Sequence, residues 1–181
     1  MKFISLLVAV GSMAAFASEL NGTWTGGCHN GVKFAAIIDN NHLVMTKSDH
    51  FDSVCAVESA KTVVAATFQV GAESQFVKGA MENDWTIAKI ELMPTSVGTV
   101  AKYNVNHFCG LGDWSLNQAK EITGLKCDQI QMPKSGDRRY DLYQLPNPKS
   151  LVHGKLTAEF DGTSPEKRPR ELDMEDVLVR N

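Results

Sequence analysis

The chain lacks any apolar run near the ~20 residues that a membrane-spanning helix needs; its longest, Phe3 to Val10, lies at the N-terminus. It has no surplus of positive charge either, since 18 Lys and Arg face 21 Asp and Glu. That balance argues against a nucleic-acid binder, which needs a basic face to displace counterions from phosphates. No Cys-x-x-Cys occurs, nor a helical His pair at i, i+4, so a zinc site has no scaffold. Gly-x-Ser-x-Gly elbows, phosphate loops and paired-carboxylate motifs are missing as well, and with them the usual marks of an enzyme. Neither a cofactor nor a metal is expected.

What is present begins with a secretory pattern: Lys2, the apolar Phe3 to Val10, and the small-residue site Ala15-Phe16-Ala17. Residues 1–17 are expected to be a signal peptide, leaving 18–181 as one domain that starts at Ser18. Losing Lys2 takes the net charge from −3 to near −4. All four cysteines, Cys28, Cys55, Cys109 and Cys127, fall in the exported part. An even count in an oxidising compartment reads as two disulfides. Three pairings are possible, and locality favours Cys28–Cys55 with Cys109–Cys127.

Periodicity favours strands. Val32 to Ile38 stops at Asp39-Asn40-Asn41, residues that tolerate a tight hairpin turn, and His42 to Thr46 returns antiparallel. Thr62 to Val70 alternates, with Val64, Ala66, Phe68 and Val70 on one face. Trp85 to Leu92 is closed by Met93-Pro94, and Val100 to Val105 reads as a further strand. Asp113 to Gly124 fits a short helix or a strand equally. Arg139 to Leu145, Leu151 to Phe160 (with a bulge expected at Gly154) and Asp176 to Arg180 complete the set, with 161–170 a polar, solvated loop. Eight to ten short strands with at most one short helix predict an all-β fold, a single antiparallel up-and-down barrel.

Gly22-Thr23-Trp24, just inside the mature start, resembles the opening of the calycins: lipocalins, fatty-acid-binding proteins and avidins. The resemblance implies that Trp24 plugs the closed end of the barrel and that Arg180, on the last strand, packs across its indole. The Thr-Asp-Tyr signature and C-terminal helix of typical lipocalins are absent. The tail from Asp161 to Asp173 resembles exported bacterial proteins, which implies a periplasmic or secreted location.

Trp85, Tyr103, Trp114 and Tyr140 are the aromatics expected as candidate cavity liners. His29, His42, His50, His107 and His153 read as surface-loop residues. The expected function is carriage of a small hydrophobic or amphipathic ligand. The alternative is a filled barrel whose loops bind an envelope protein or cell-wall polymer, as an inhibitor does. Oligomeric state stays open.

Overall fold

A computed structural model describes residues 19–181; the expected signal segment 1–17 and the start at Ser18 lie outside the described residues. Eight strands close into one antiparallel barrel: β1 (Gly22–Thr25), β2 (Val32–Asp39), β3 (His42–His50), β4 (Glu58–Glu73), β5 (Met81–Pro94), β9 (Arg138–Asn147), β10 (Ser150–Gly154) and β11 (Leu172–Arg180). Each neighbour follows in chain order, β5 pairs with β9, and β11 returns to β1. Closure removes the free sheet edges that invite aggregation. The fold is therefore the all-β, single antiparallel barrel that the strand count predicts, and it is consistent with a calycin-like fold.

Local chemistry explains the turns and the breaks. Asn40 takes a left-handed φ of 54° in the two-residue turn between β2 and β3, as a tight hairpin requires. On β5 the pairing jumps from Ala66↔Ile87 to Ala65↔Lys89, so Ala88 is an extra, unpaired residue. This bulge shifts the alternation from Trp85 and Ile87 to Ile90 and Leu92. Apolar side chains thus stay on the inner face along the whole strand.

Three expectations need correction. Val100 to Val105 is not a strand but part of the helix α1 (Val97–Val105). Ser96 caps it: the Ser96 hydroxyl accepts from Thr99 N at 3.0 Å and donates to Thr99 Oγ1 at 2.8 Å. That cap satisfies a helix N–H that would otherwise be orphaned, and it outweighs the strand preference of the β-branched valines. Asp113 to Gly124 is neither helix nor long strand. Its ordered part is the two-residue β6 (Lys120–Glu121) on β5, while Trp114 is fixed by Asn104, which bonds both its N–H and its carbonyl. A small ribbon, β7 (Lys126–Cys127) with β8 (Ile130–Gln131), follows.

The third correction concerns β10, which stops at Gly154 rather than Phe160, although the irregularity expected at Gly154 is there, as a register shift between Val152 and Gly154. A Cβ at Gly154 would lie 2.5 Å from Asp141 Oδ1 and 2.6 Å from Pro169 Cβ, so two elements meet over this bare backbone. The segment 161–170 keeps Thr163, Pro165, Glu166 and Lys167 at solvent, as a polar loop does, but is anchored beside them. Arg168 within it is only 9 % exposed.

Two buried clusters share the interior. The first, near β1, joins Leu20, Trp24, Ile38, Phe68, Tyr143 and Leu178. The second joins Ala60, Ile90 and Leu92 of the β4–β5 ribbon to Trp114, Ile122 and the half-cystines Cys109 and Cys127. Segment 95–137 therefore folds over the inner face of the far end of that ribbon. Both disulfides are formed as locality suggests, Cys28–Cys55 and Cys109–Cys127. Among the described residues no helix is long and apolar enough to cross a membrane.

Candidate ligand chamber

At the β1 end the interior is sealed by Trp24, which is fully buried and donates from Nε1 to Leu20 O at 2.8 Å. Arg180 stands opposite Trp24 in the β1–β11 register, with its Cζ 4.4 Å from the ring centroid. Its guanidinium also donates to Glu19 O. The plug is thus tied to the first strand, the last strand and the residues just before β1.

Above the plug the side chains do not meet. An upper chamber of about 200 Å³ is lined by Phe34, Ala36, Ile38, Leu43, Phe68 and Leu178, with Tyr143 and His153 on the other wall. A lower chamber of about 240 Å³ lies among Thr62, Val64, Ile87, Met132, Tyr140 and Gly162. Met45, Trp85, Asp141 and Leu156 border both, so they form the partition. Leu156 is 61 % exposed, which places the partition's outer edge at solvent.

Trp85 therefore lines both chambers and Tyr140 the lower one. Tyr103 and Trp114 line neither of them, which corrects the sequence reading. Tyr103 stacks on Phe108 with centroids 4.4 Å apart and meets Trp114 edge-on at 5.2 Å, in the segment that covers the ribbon. Their mutual packing removes them from the barrel wall.

The polar residues that line the upper chamber are Asn83 of β5, Asp141 and Tyr143 of β9 and His153 of β10, with Asp176 of β11 behind His153. Asp141 of β9 is buried, and its Oδ1 accepts from Leu142 N at 2.7 Å and Gly154 N at 3.1 Å. His153 of β10 faces acceptors with both ring nitrogens: Gly154 O at 2.9 Å and Asp176 Oδ2 of β11 at 3.3 Å. Only the imidazolium has an N–H for each, so the geometry selects the charged form. His153 is thus a half-buried strand residue that lines the chamber, not the surface-loop histidine that its sequence context suggests.

Burial acts on all three titratable groups that line this wall. It pushes the Asp141 carboxyl up to about 6, against the opposing pull of His153, the two backbone N–H donors and Arg168. For His153 burial alone would lower the value, but the Asp176 hydrogen bond, the Asp141 charge and the Gly154 carbonyl outweigh it and raise it to about 9. The Tyr143 hydroxyl is raised to about 12 by burial and by the charge of Glu19. That hydroxyl is buried with no hydrogen-bond partner among the described residues.

Arg168 braces the wall from outside. It donates to Asn83 O at 3.0 Å and Asp141 O at 2.7 Å, pairs with Asp84 at 2.7 Å and Glu82 at 3.4 Å, and lies over the Tyr140 ring. Asn83, with its amide nitrogen toward Asp141 O at 3.1 Å, accepts from Trp85 Nε1 at 3.1 Å. These bonds fix the indole that divides the chambers. Arg170 is held similarly, between the rings of Phe76 and Phe160 at 4.5 Å each. Segment 155–171 is therefore anchored at Arg168 and Arg170.

Asp141, Tyr143, His153 and Asp176 did not stand out in the sequence, although strand parity marks them. Each lies two residues from an inward-facing apolar position or from another member of the set: Tyr143 from Asp141, Leu151 from His153, Leu178 from Asp176. Among the described residues no cluster of three or more His, Cys, Asp or Glu is arranged to hold a metal. No protein-family model and no curated protein matches this chain, so the site's own chemistry must carry the functional reading.

Proposed function

We propose that the protein is an exported bacterial carrier, periplasmic or secreted, that holds a small and largely apolar molecule in the upper chamber. The observation that carries this reading is the Tyr143 hydroxyl. A buried hydroxyl without a partner costs on the order of 1–3 kcal/mol, and Tyr143 is one of the residues that line a chamber whose remaining lining is mostly apolar. A ligand with an apolar body and one polar group would fill that space and bring a hydrogen-bonding partner to its wall. The two disulfides support an oxidising compartment.

The test has two arms. Protein purified without detergent is extracted into organic solvent and the extract is read by mass spectrometry. A hydrophobic dye is then titrated against wild type and against Ala36→Phe, which fills the chamber from a buried wall position. Dye binding is expected in the wild type and should be lost in the variant. If nothing co-extracts and no dye binds, the carrier reading fails.

A second reading, attachment to an envelope protein or wall polymer through loops, is favoured by one feature. Phe51, Val54 and Val57 are 62, 74 and 55 % exposed on the turn joined to β1's neighbourhood by Cys28–Cys55. Asp52 stiffens that turn by accepting from Ala56, Val57 and Val54 N–H, which hold its carboxyl below the ordinary value. Under this reading Phe51→Ser with Val54→Ser would abolish capture from an envelope extract while leaving dye binding intact.

A further inference from the structure

The chamber's hydrogen-bonding groups can be sorted by which of them are already engaged. Both ring nitrogens of His153 are occupied, by Gly154 O and Asp176 Oδ2. Arg168 directs its guanidinium to Asn83 O, Asp141 O and Asp84. Asn83 is bracketed by Trp85 Nε1 and Asp141 O. Asp141 is different: Oδ1 takes two backbone N–H groups, and Oδ2 has no hydrogen-bond partner among the described residues. Tyr143, two positions along the same inward face of β9, has its hydroxyl unpartnered.

The unengaged groups at this wall are thus one carboxylate oxygen and one phenolic hydroxyl, which accepts as readily as it donates. No cationic N–H is left for a ligand anion. The surrounding charges point the same way: around this wall Arg168 and His153 face Glu82, Asp84, Asp141 and Asp176, two cations against four carboxylates. A ligand carboxylate or phosphate would enter a field of its own sign and meet Asp141 directly. An ammonium would meet an acceptor and the charge it lacks.

Size narrows the class further. A cavity of about 150 Å³ holds benzene, so the upper chamber, at about 200 Å³, suits a single substituted ring or a short branched chain.

On the reading that the chamber is a ligand site, we infer that its occupant is a small primary amine with an apolar body the size of one substituted ring. Its ammonium sits on the free Asp141 oxygen, and its body lies against Phe34, Ile38, Phe68 and Leu178. The indole of Trp85, which walls the chamber, reports occupancy by fluorescence.

The experiment compares near-isosteric probes on the unaltered protein at pH 7.5: 2-phenylethylamine, 2-phenylethanol, phenylacetate and toluene, each by Trp fluorescence and calorimetry. The amine is expected to bind about ten- to a hundredfold more tightly than the alcohol, the range for a hydrogen bond to a charged group, and phenylacetate more weakly than either. In Asp141→Asn, which keeps an oxygen for the two backbone N–H groups, the amine should fall to within about threefold of the alcohol, whose affinity stays unchanged. Toluene or phenylethanol binding with no amine preference overturns the amine assignment and leaves the carrier reading standing. Phenylacetate binding most tightly does the same. None of the four binding sinks both. The wild-type ranking decides the matter even if Asp141→Asn does not fold.

Discussion

At the β1 end of the barrel the sheet closes on itself, and Trp24, opposite Arg180 in register, fills the cross-section from the first strand. The far end is covered by segment 95–137, which includes only the two-residue strand β6 against the barrel; it is organised by α1, by the Tyr103, Phe108 and Trp114 rings, and by the buried Cys109–Cys127 bridge. Each end buries one Trp to about 2 % exposure or less. The difference is in what surrounds it: ladder hydrogen bonds at one end, loop side chains and a covalent link at the other. A cap built from the barrel's own strands leaves the interior above it fixed in shape, and the upper chamber lies there. A cap built from a loop can pack against the ribbon without contributing a wall to that chamber.

The sharpest way to break this comparison is to truncate each indole. Trp24→Ala and Trp114→Ala should each lose about 3–5 kcal/mol in urea titrations, as large buried aromatics do. The functional outcomes should diverge: Trp24→Ala loses dye binding under conditions where it is still folded, and Trp114→Ala keeps it. Loss of binding in Trp114→Ala alone would show that the far cap, not the plug, shapes the chamber.

That divergence tracks what could be seen in the sequence. The barrel was legible because its strands obey period two, as with Val64, Ala66, Phe68 and Val70, and because Asn40 marks a turn by its backbone preference. The disulfide partners were legible from locality. Segment 95–137 was not, since its order comes from single side chains reaching across loops, such as Asn104 to Trp114, and no periodicity encodes such contacts. The ionic row of the chamber was hidden for another reason. Strand parity places Asp141, His153 and Asp176 on the inner face, but a polar side chain alone does not announce a buried partner, and only the neighbouring strands show that the three meet.

A second difference between the ends is electrostatic, and pH should expose it. His153 has its folded value raised from 6.5 to about 9, so its contribution is fully present below pH 6.5 and is lost as pH rises through 9. Asp141, raised from 3.8 to about 6, binds more protons folded than unfolded between those values, so stability also falls as pH rises through that window. The groups facing this pair are Asp176, Arg168 and each other. The His153 step should be roughly 2–3 kcal/mol between pH 6.5 and 9, after allowing for its partial exposure. Chemical denaturation across pH should show it in the wild type and in Trp114→Ala, and should find it flattened in His153→Gln. An unchanged slope in His153→Gln would remove the imidazolium from the chamber wall.

The smallest effect tests the seam itself. Arg180→Ala should cost about 0.5–2 kcal/mol, the range of a cation–π contact that is partly desolvated, and should lose that effect once Trp24 is Ala. Additive costs in the double variant would mean that the Trp24 indole and the Arg180 guanidinium do not act as a unit.

The β1–β11 seam also sets an order of events in time. From β1 to β5 the strands join through successive hairpins, whose contacts are close in sequence and form early. The seam joins positions far apart, as in the Thr25–Asn181 hydrogen bond that spans 156 positions. It has to wait until β9, β10 and β11 have assembled. Until the seam closes, β1 and β11 would each present an unpaired edge, the feature through which a chain pairs with another. Laying Arg180 over Trp24 closes that interval.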